Sequence, residues 1–313
     1  MKNCVRAAQN CWRSKMKNNP PLAFDAARAR IEKMIAAEDA QIIHPASHTR
    51  LWTHAQKTAR AILCLQGYTD STRQFHALGE LMFERGYNVF VPRAPHHGYR
   101  DRMSAAHGAL TIAELQTWAN DALNLALGLG EKITVMGLSM GGVMATWLAE
   151  TRAELDQAIL LAPAYGTSAI PPRVTRTAAR AVNHLPNLFI WWDPRVRAET
   201  GIAYAYPRFA TRTLARLFLF SAELLQTARQ QPPAARQVWM VTNANDFAIS
   251  NTLCKMFADA WRAHGTDQIR AYEFPRALGL PHDLLDPIDA AVKPEAVYPQ
   301  LIKIVAQAET GAF

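Results

Sequence analysis

Apolar residues along this chain follow two rhythms. From about residue 60, short runs that are apolar almost throughout alternate with longer stretches where apolar residues return every three or four positions. The runs are RAILCLQG, YNVFVPRAP, EKITVMG and LDQAILLAP, and RQVWMVTNAND and QIRAYEF resume the series much later. Between them lie RQFHALGELMFERG, TIAELQTWANDALNLALGLG, GGVMATWLAE and FAISNTLCKMFADAW. Strand-length apolar runs ending in glycine or proline, separated by amphipathic helices, predict a mostly parallel sheet with helices on both faces. The fold class is therefore α/β.

Two regions depart from this alternation. Before it, Asn19-Pro20-Pro21 predicts a helix start, followed by Phe24, Ala27, Ile31, Met34 and Ile35 on one helical face. The pieces QIIHPA and TRLWTHA then predict a hairpin, giving residues 1–58 as an N-terminal extension that packs beside the sheet or serves an oligomer. From 164 to 233 the chain holds GTSAIPPRVTRTAAR, LPNLFIWWDPRVR and YAYPRFATRTLARLFLFSAELL, with no strand of the main sheet among them. This predicts a mainly helical cap, inserted into a core formed by 59–163 and 234–313. Such an insertion belongs over the carboxyl ends of the strands, where open α/β sheets bind ligands. There are no internal repeats and no low-complexity tracts.

Composition narrows the classes further. Half of the 313 residues are apolar, enough for a sizeable core, and the formal charge is +8. The arginines behind that charge are scattered rather than gathered in a stripe, which argues against nucleic acid as a partner. No run approaches the roughly 18 apolar residues of a membrane span. The opening MKNCVRAAQNCWRSKMKNNPP lacks an uninterrupted apolar segment and a clear cleavage site. Cys4, Cys11, Cys64 and Cys254 form no Cys-x-x-Cys pair, so no zinc site is expected, and Cys64 sits in an apolar run as a small hydrophobe. Together these features point to a cytoplasmic protein.

Chemistry concentrates at TVMGLSMGGVM. Gly137-Leu138-Ser139-Met140-Gly141 falls between a strand and a helix, with Gly142 following. A serine there occupies a tight, strained turn, and the small neighbours keep strand and helix from clashing with it. Its hydroxyl needs a base to take its proton and an acid to hold that base. Downstream, Asp246 falls in the exit loop of RQVWMVT, and His282 falls in the exit loop of QIRAYEF. The order Ser139, Asp246, His282 is the one this architecture uses. Asp246 could instead cap the helix after it, and His282 could be an ordinary loop histidine. Asp283 and Asp286 compete as acids but lie too near His282 in sequence to suit the loop logic. Acyl transfer also requires donors for an oxyanion. The Met140 N–H is one, and the Tyr68 N–H, made approachable by Gly67, is the other.

On these residues the chain from about 60 onward resembles the α/β-hydrolase family, specifically its carboxylesterase and monoacylglycerol-lipase-like branch. That branch shows His-Gly-aromatic at the oxyanion loop, where this sequence has Gln66-Gly67-Tyr68. PRAPHHGYRDR resembles the branch's Pro-Gly-His-Gly loop, with His96 in place of the first glycine, and the resemblance makes His97 a loop-ordering residue. The adjacent histidines alone are a poor metal site. The resemblance implies a serine hydrolase with a small-molecule ester substrate, working without a metal or organic cofactor.

The same constellation would serve an amide, a thioester, a carbon–carbon bond of a diketone or an acyltransferase. A haloalkane dehalogenase would carry aspartate at the elbow. A peptidase of N-terminal residues would want an acidic cluster, for which the insertion offers only Asp193, Glu199 and Glu223. A binding protein on the same scaffold would usually have lost part of the site, and here all parts remain. The aromatics Tyr165, Phe189, Trp191, Trp192, Tyr204, Tyr206 and Phe209 either pack the insertion down or line a hydrophobic subsite. Arg173, Arg176, Arg180, Arg195 and Arg197 are a solvated face or an attraction for anionic substrates or a lipid surface, a peripheral contact. Oligomeric state is not encoded in any of these patterns.

Overall fold

The structure is a computed structural model that describes residues 21–195 and 201–310. Cys4, Cys11, Asn19, Pro20, Arg197 and Glu199 lie outside the described residues. Seven strands form one sheet: β1 (Arg50–Trp52), β2 (Thr58–Leu65), β3 (Asn88–Val91), β4 (Gly130–Leu138), β5 (Gln157–Leu161), β8 (Gln237–Asn243) and β9 (Ile269–Phe274). Their spatial order is β1-β3-β2-β4-β5-β8-β9. Only β1 is antiparallel, pairing Leu51 with Phe90; the other pairs are parallel.

The central strands are buried on both faces, as their unbroken apolar runs require. In β2 the six residues from Arg60 to Leu65 are buried, and β3 and β5 are buried throughout. Helices α1 (Phe24–Ala36), α2 (His76–Phe83), α3 (Ile112–Ala126) and α4 (Met140–Thr151) belong to the part before the insertion. Thr111 and Glu114 start α3 with a reciprocal capping box. Helix α4 is buried around almost its whole circumference, every residue but Thr151. Such a helix can only lie inside a core.

Two sequence expectations change. The predicted hairpin does not form: Ile43 bridges Tyr99, Pro45–Ser47 is a 3-10 turn, and β1 pairs with β3. The QIIHPA piece contains Pro45, which has no N–H to donate to a ladder, whereas Leu51 and Trp52 can reach the open edge of β3. Helix α1 begins at Phe24, without a side-chain cap, and buries Ala27 and Ile31 completely. The insertion, expected to be mainly helical, also carries a short ribbon. Between β5 and β8 it contains α5 (Pro172–His184), an antiparallel ribbon of β6 (Phe189–Trp191) and β7 (Arg208–Ala210), and α6 (Thr211–Ala228). Leu217, Phe220, Leu224 and Leu225 of α6 join the main core, so the second half of the insertion is packed into the body of the molecule. Two helices complete the chain, α7 (Asn251–Arg262) and α8 (Pro294–Thr310). The hydropathy reading omitted α8, which carries Pro299 within it. Among the described residues no helix is long and apolar enough to cross a membrane.

The strand order also fixes where a site can be. From β2 the chain moves outward to β3, then crosses back to lay β4 on the other side of β2. The reversal between β2 and β4 opens a crevice at their carboxyl ends. Leu65 pairs with Gly137 there, so the loops leading to Gly67 and Ser139 leave the sheet side by side.

Candidate active site

Ser139 ends β4 and begins α4 with φ 56° and ψ −112°. Left-handed backbone of this kind is costly for a residue with a Cβ and persists only where its surroundings impose it. Here they do. The Ser139 N–H donates to the Leu161 carbonyl (2.9 Å), and its carbonyl accepts from Ala164 N–H (3.1 Å). A side chain on Gly137 would overlap the Gly141 carbonyl, and one on Gly141 would overlap the Leu65 carbonyl. The two glycines therefore let β4, α4 and β2 come into contact.

Asp246 and His282 meet across two strand exits. His282 Nδ1 lies 2.7 Å from Asp246 Oδ2. A carboxylate only accepts, so Nδ1 carries the proton and Nε2 keeps its lone pair. The other carboxylate oxygen, Oδ1, accepts the N–H groups of Ala248 (2.8 Å) and Ile249 (3.2 Å). The helix-capping alternative is not what forms: α7 starts later, capped by Ser250. The Asp246 side chain is fully buried, and that of His282 is 24% exposed. Burial pulls the His282 imidazole down, but the hydrogen bond and charge of Asp246 outweigh it and the net shift is upward. Among the described residues no hydrogen bond reaches Ser139 Oγ.

The competing acids are engaged elsewhere. Asp283 accepts from Gln74 Nε2 (2.9 Å), and Asp286, buried, accepts from the Tyr204 hydroxyl (2.5 Å).

On the opposite side, a Cβ added to Gly67 would sit 3.6 Å from that of Ser139, so the two loops touch. The N–H groups of Tyr68 and Met140 have no acceptor among the described residues. The peptides on either side of Tyr68 N–H are pinned. Gly67 N–H donates to Gln74 Oε1 (2.8 Å), and Thr69 N–H donates to His97 Nε2 (3.1 Å). His97 is buried, with Nδ1 2.7 Å from the Pro95 carbonyl, which fixes the tautomer that accepts from Thr69. Desolvation lowers its pKa to about 3, keeping the ring neutral. His96 stands at φ 61°, a left-handed conformation usually left to glycine, and turns outward to Glu114 (3.0 Å). The two histidines thus face different partners.

Residues 56–272, more than half the chain, match the family model described as "Serine aminopeptidase, S33" (Hydrolase_4). The chain belongs to this hydrolase family. Solved structures agree with the fold. The hydrolase is 15% identical to a structure of the metagenome-derived lipolytic enzymes LipS and LipT, with 85% of this chain and 99% of that one covered and a TM-score of 0.64. It is 16% identical to a monoacylglycerol lipase of Paleococcus ferrophilus, covering 83% and 98%, TM-score 0.64. It is 14% identical to a soluble variant of the Saccharomyces cerevisiae monoglyceride lipase, covering 83% and 91%, TM-score 0.62. Likenesses this distant establish an α/β-hydrolase fold and nothing finer. No curated protein matches the chain.

Several residues that organise the hydrolase's site were not singled out from the sequence. Gln66, where the resemblance has histidine, receives the Ala94 N–H (3.1 Å) and donates to the Asp70 carbonyl (2.6 Å), joining the loops after β2 and β3. Asn243 donates to the carbonyls of Leu280 (3.0 Å) and Pro281 (2.9 Å), bringing the His282 loop beside that of Asp246. Thr69 ties the insertion to the loop after β2 that carries Gly67 and Tyr68. Its hydroxyl accepts from Trp192 Nε1 (2.8 Å), and its carbonyl accepts from Tyr206 N–H (2.7 Å). Most of the insertion's aromatics serve packing or hydrogen bonding. Tyr165 stacks on Phe257 at 3.8 Å and shares a hydrogen bond with Thr146. Trp192 lies over Phe209 at 4.4 Å.

Proposed function

We propose that this hydrolase cleaves carboxylic esters through an acyl-enzyme on Ser139. The observation that carries the proposal is the Asp246–His282 pair, 2.7 Å apart at neighbouring strand exits, on the same edge of the sheet as the strained, glycine-packed Ser139. Ser139 Oγ attacks the acyl carbon while His282 Nε2 takes the hydroxyl proton. Asp246 holds the ring and stabilises the imidazolium. The unpaired N–H groups of Tyr68 and Met140 receive the oxyanion, a contribution typically of about 3 kcal/mol per donor. The imidazolium then protonates the departing alcohol. Water, losing a proton to His282, attacks the acyl-enzyme; the ester bond to Ser139 then breaks, the imidazolium returns its proton to Ser139 Oγ, and the acid departs. No metal or organic cofactor enters these steps.

The insertion acts as a cap over the oxyanion loop in this proposal, supported by the hydrogen bonds from Trp192 and Tyr206 to Thr69. A hydrophobic acyl or alcohol group suits its aromatic character. Leu185, Leu188, Ile190 and Trp192 are exposed along it, which also supports peripheral contact with a lipid surface. The names of the lipase and esterase structures agree with ester chemistry. The test is hydrolysis of p-nitrophenyl esters of increasing acyl length, comparing wild type with Ser139→Ala. Turnover lost in the variant supports a serine esterase, and the optimum length sizes the acyl subsite. A folded wild type inert towards every ester would refute it.

A further inference from the structure

Gln74 joins the two halves of the site. It lies in the 3-10 turn Thr72–Phe75 with its side chain buried. Its Oε1 accepts from Gly67 N–H (2.8 Å), and its Nε2 donates to Asp283 Oδ2 (2.9 Å). Asp283 directly follows His282, and its other oxygen receives Leu285 N–H (2.8 Å). One planar amide therefore spans from the peptide before the Tyr68 N–H to the residue after the base.

The need for such a tie follows from the backbone. Gly67 has no Cβ, and one added there would press on Gln74 Oε1 at 3.3 Å while meeting the Ser139 Cβ at an ordinary 3.6 Å, so the missing side chain leaves room for the Gln74 amide to reach the Gly67 backbone. The freedom that permits this close approach also leaves the Gly67–Tyr68 peptide free to rotate. His97 restrains only its far side, through Thr69. Without a second restraint the Tyr68 N–H would sample directions away from the oxyanion.

We propose that Gln74 is a positioning residue for catalysis: it sets the direction of the Tyr68 N–H relative to His282 without touching substrate. The proposal rests on the esterase reading above. A donor misdirected by about 1 Å costs on the order of 100-fold in rate, while ground-state binding through the insertion is untouched.

The experiment compares wild type with Gln74→Met, which keeps length and removes both hydrogen bonds. Gln74→Asn, an amide too short to span the gap, is the second variant in case methionine prevents folding. Readouts are kcat and KM on p-nitrophenyl esters, the Ki of phenylboronic acid, which forms a tetrahedral adduct on a serine, and the fraction of sites titrated by a fluorophosphonate. Expected is a 10- to 100-fold fall in kcat with KM within threefold of wild type, full titration, and a Ki raised by about the same factor as kcat/KM falls. A folded variant with kcat within threefold of wild type overturns the proposal. So does a fall in activity that only tracks lost titratable sites, or one that leaves the boronic acid Ki unchanged. A wild type that neither hydrolyses the esters nor binds the boronic acid overturns the esterase reading, and this inference with it; an active wild type with an unimpaired variant overturns this inference alone.

Discussion

The two ends of the sheet are built to different standards. At the carboxyl end, Thr69, His96, Ser139 and Ala162 all adopt positive φ without being glycine. Gln66, Gln74, His97 and Asn243 are buried there, each tied by its side chain to a neighbouring loop. At the amino end, among the described non-glycine residues, only Ala55 shares that backbone conformation. The amino end is held instead by unstrained contacts, among them an exposed Lys57–Glu131 pair at 3.2 Å, Asn88 bonded to the Gln56 and Leu129 carbonyls, and buried Gln157 bonded to the Ile304 carbonyl (2.9 Å). Strained residues cost about 1–3 kcal/mol each, and nothing in the fold alone demands that they gather at one end. Their concentration at the end of the sheet that also carries Ser139, Asp246 and His282 is the pattern expected of a site held in shape by its surroundings.

The most severe way to break this contrast is Gly141→Ala. The new Cβ would overlap the Leu65 and Gln66 carbonyls, which are backbone and cannot step aside. Expected is a loss above about 4 kcal/mol, seen as little folded protein. Gly86→Ala at the amino end meets no atom within 4 Å and suffers only from its φ of 90°, so about 1 kcal/mol is expected. Denaturant melts of both variants compare the two ends directly, and equal losses would refute the contrast.

Next in size is Ser139→Gly, which separates strain from chemistry. Activity on esters should fall at least about 10⁴-fold. Stability should rise by about 1 kcal/mol, because glycine occupies φ 56° without the penalty serine bears. A lower melting temperature would mean that the elbow is not strained.

How much of this the sequence disclosed depends on how far apart the partners are. The turn at Ser139 was readable because its glycines, strand and helix are contiguous. The meeting of Asp246 with His282 followed from counting strand exits, a consequence of parallel topology. Gln74 was opaque: its acceptor partner lies 209 residues away, and a glutamine in a polar turn carries no local signal. Gln66 stood out only as a departure from the resembling motif, and neither its link to Ala94 nor that of Asn243 to the His282 loop could be read before the loops were placed side by side. The hairpin expectation failed because β-propensity shows that Leu51 and Trp52 favour a strand, and not which edge they will find. Helix α8 went unassigned: its Pro294 sits at the start, where a helix tolerates proline, but Pro299 inside it interrupts the usual helical pattern.

Asp246→Asn tests the electrostatics of the strained end. An amide at this position allows the wrong imidazole tautomer, and kcat should fall by about 10⁴-fold. The pH profile moves as well. The base must be neutral, and its pKa is raised above 6.5, so kcat/KM in wild type should climb through a midpoint above 6.5. Removing the Asp246 charge leaves burial, which lowers the pKa, so the residual activity of the variant should climb at lower pH than wild type. An unchanged midpoint would show that Asp246 does not set the proton affinity of His282.

The smallest effect is expected at the amino end. Lys57→Ala removes an ion pair in which the Glu131 side chain is 68% exposed. Water and salt screen such a pair, and holding two long side chains together costs entropy, so about 0.5 kcal/mol or less is at stake. Ester hydrolysis should be unchanged, because Lys57 precedes β2 at the amino end, while the loops carrying Gly67, Ser139, Asp246 and His282 leave the sheet from its opposite edge. A loss of activity without a loss of stability would mean that the two ends communicate through β2. In that case the restraint on Gly67 and Tyr68 would originate partly in the strand beneath them, and not only in Gln74 and His97.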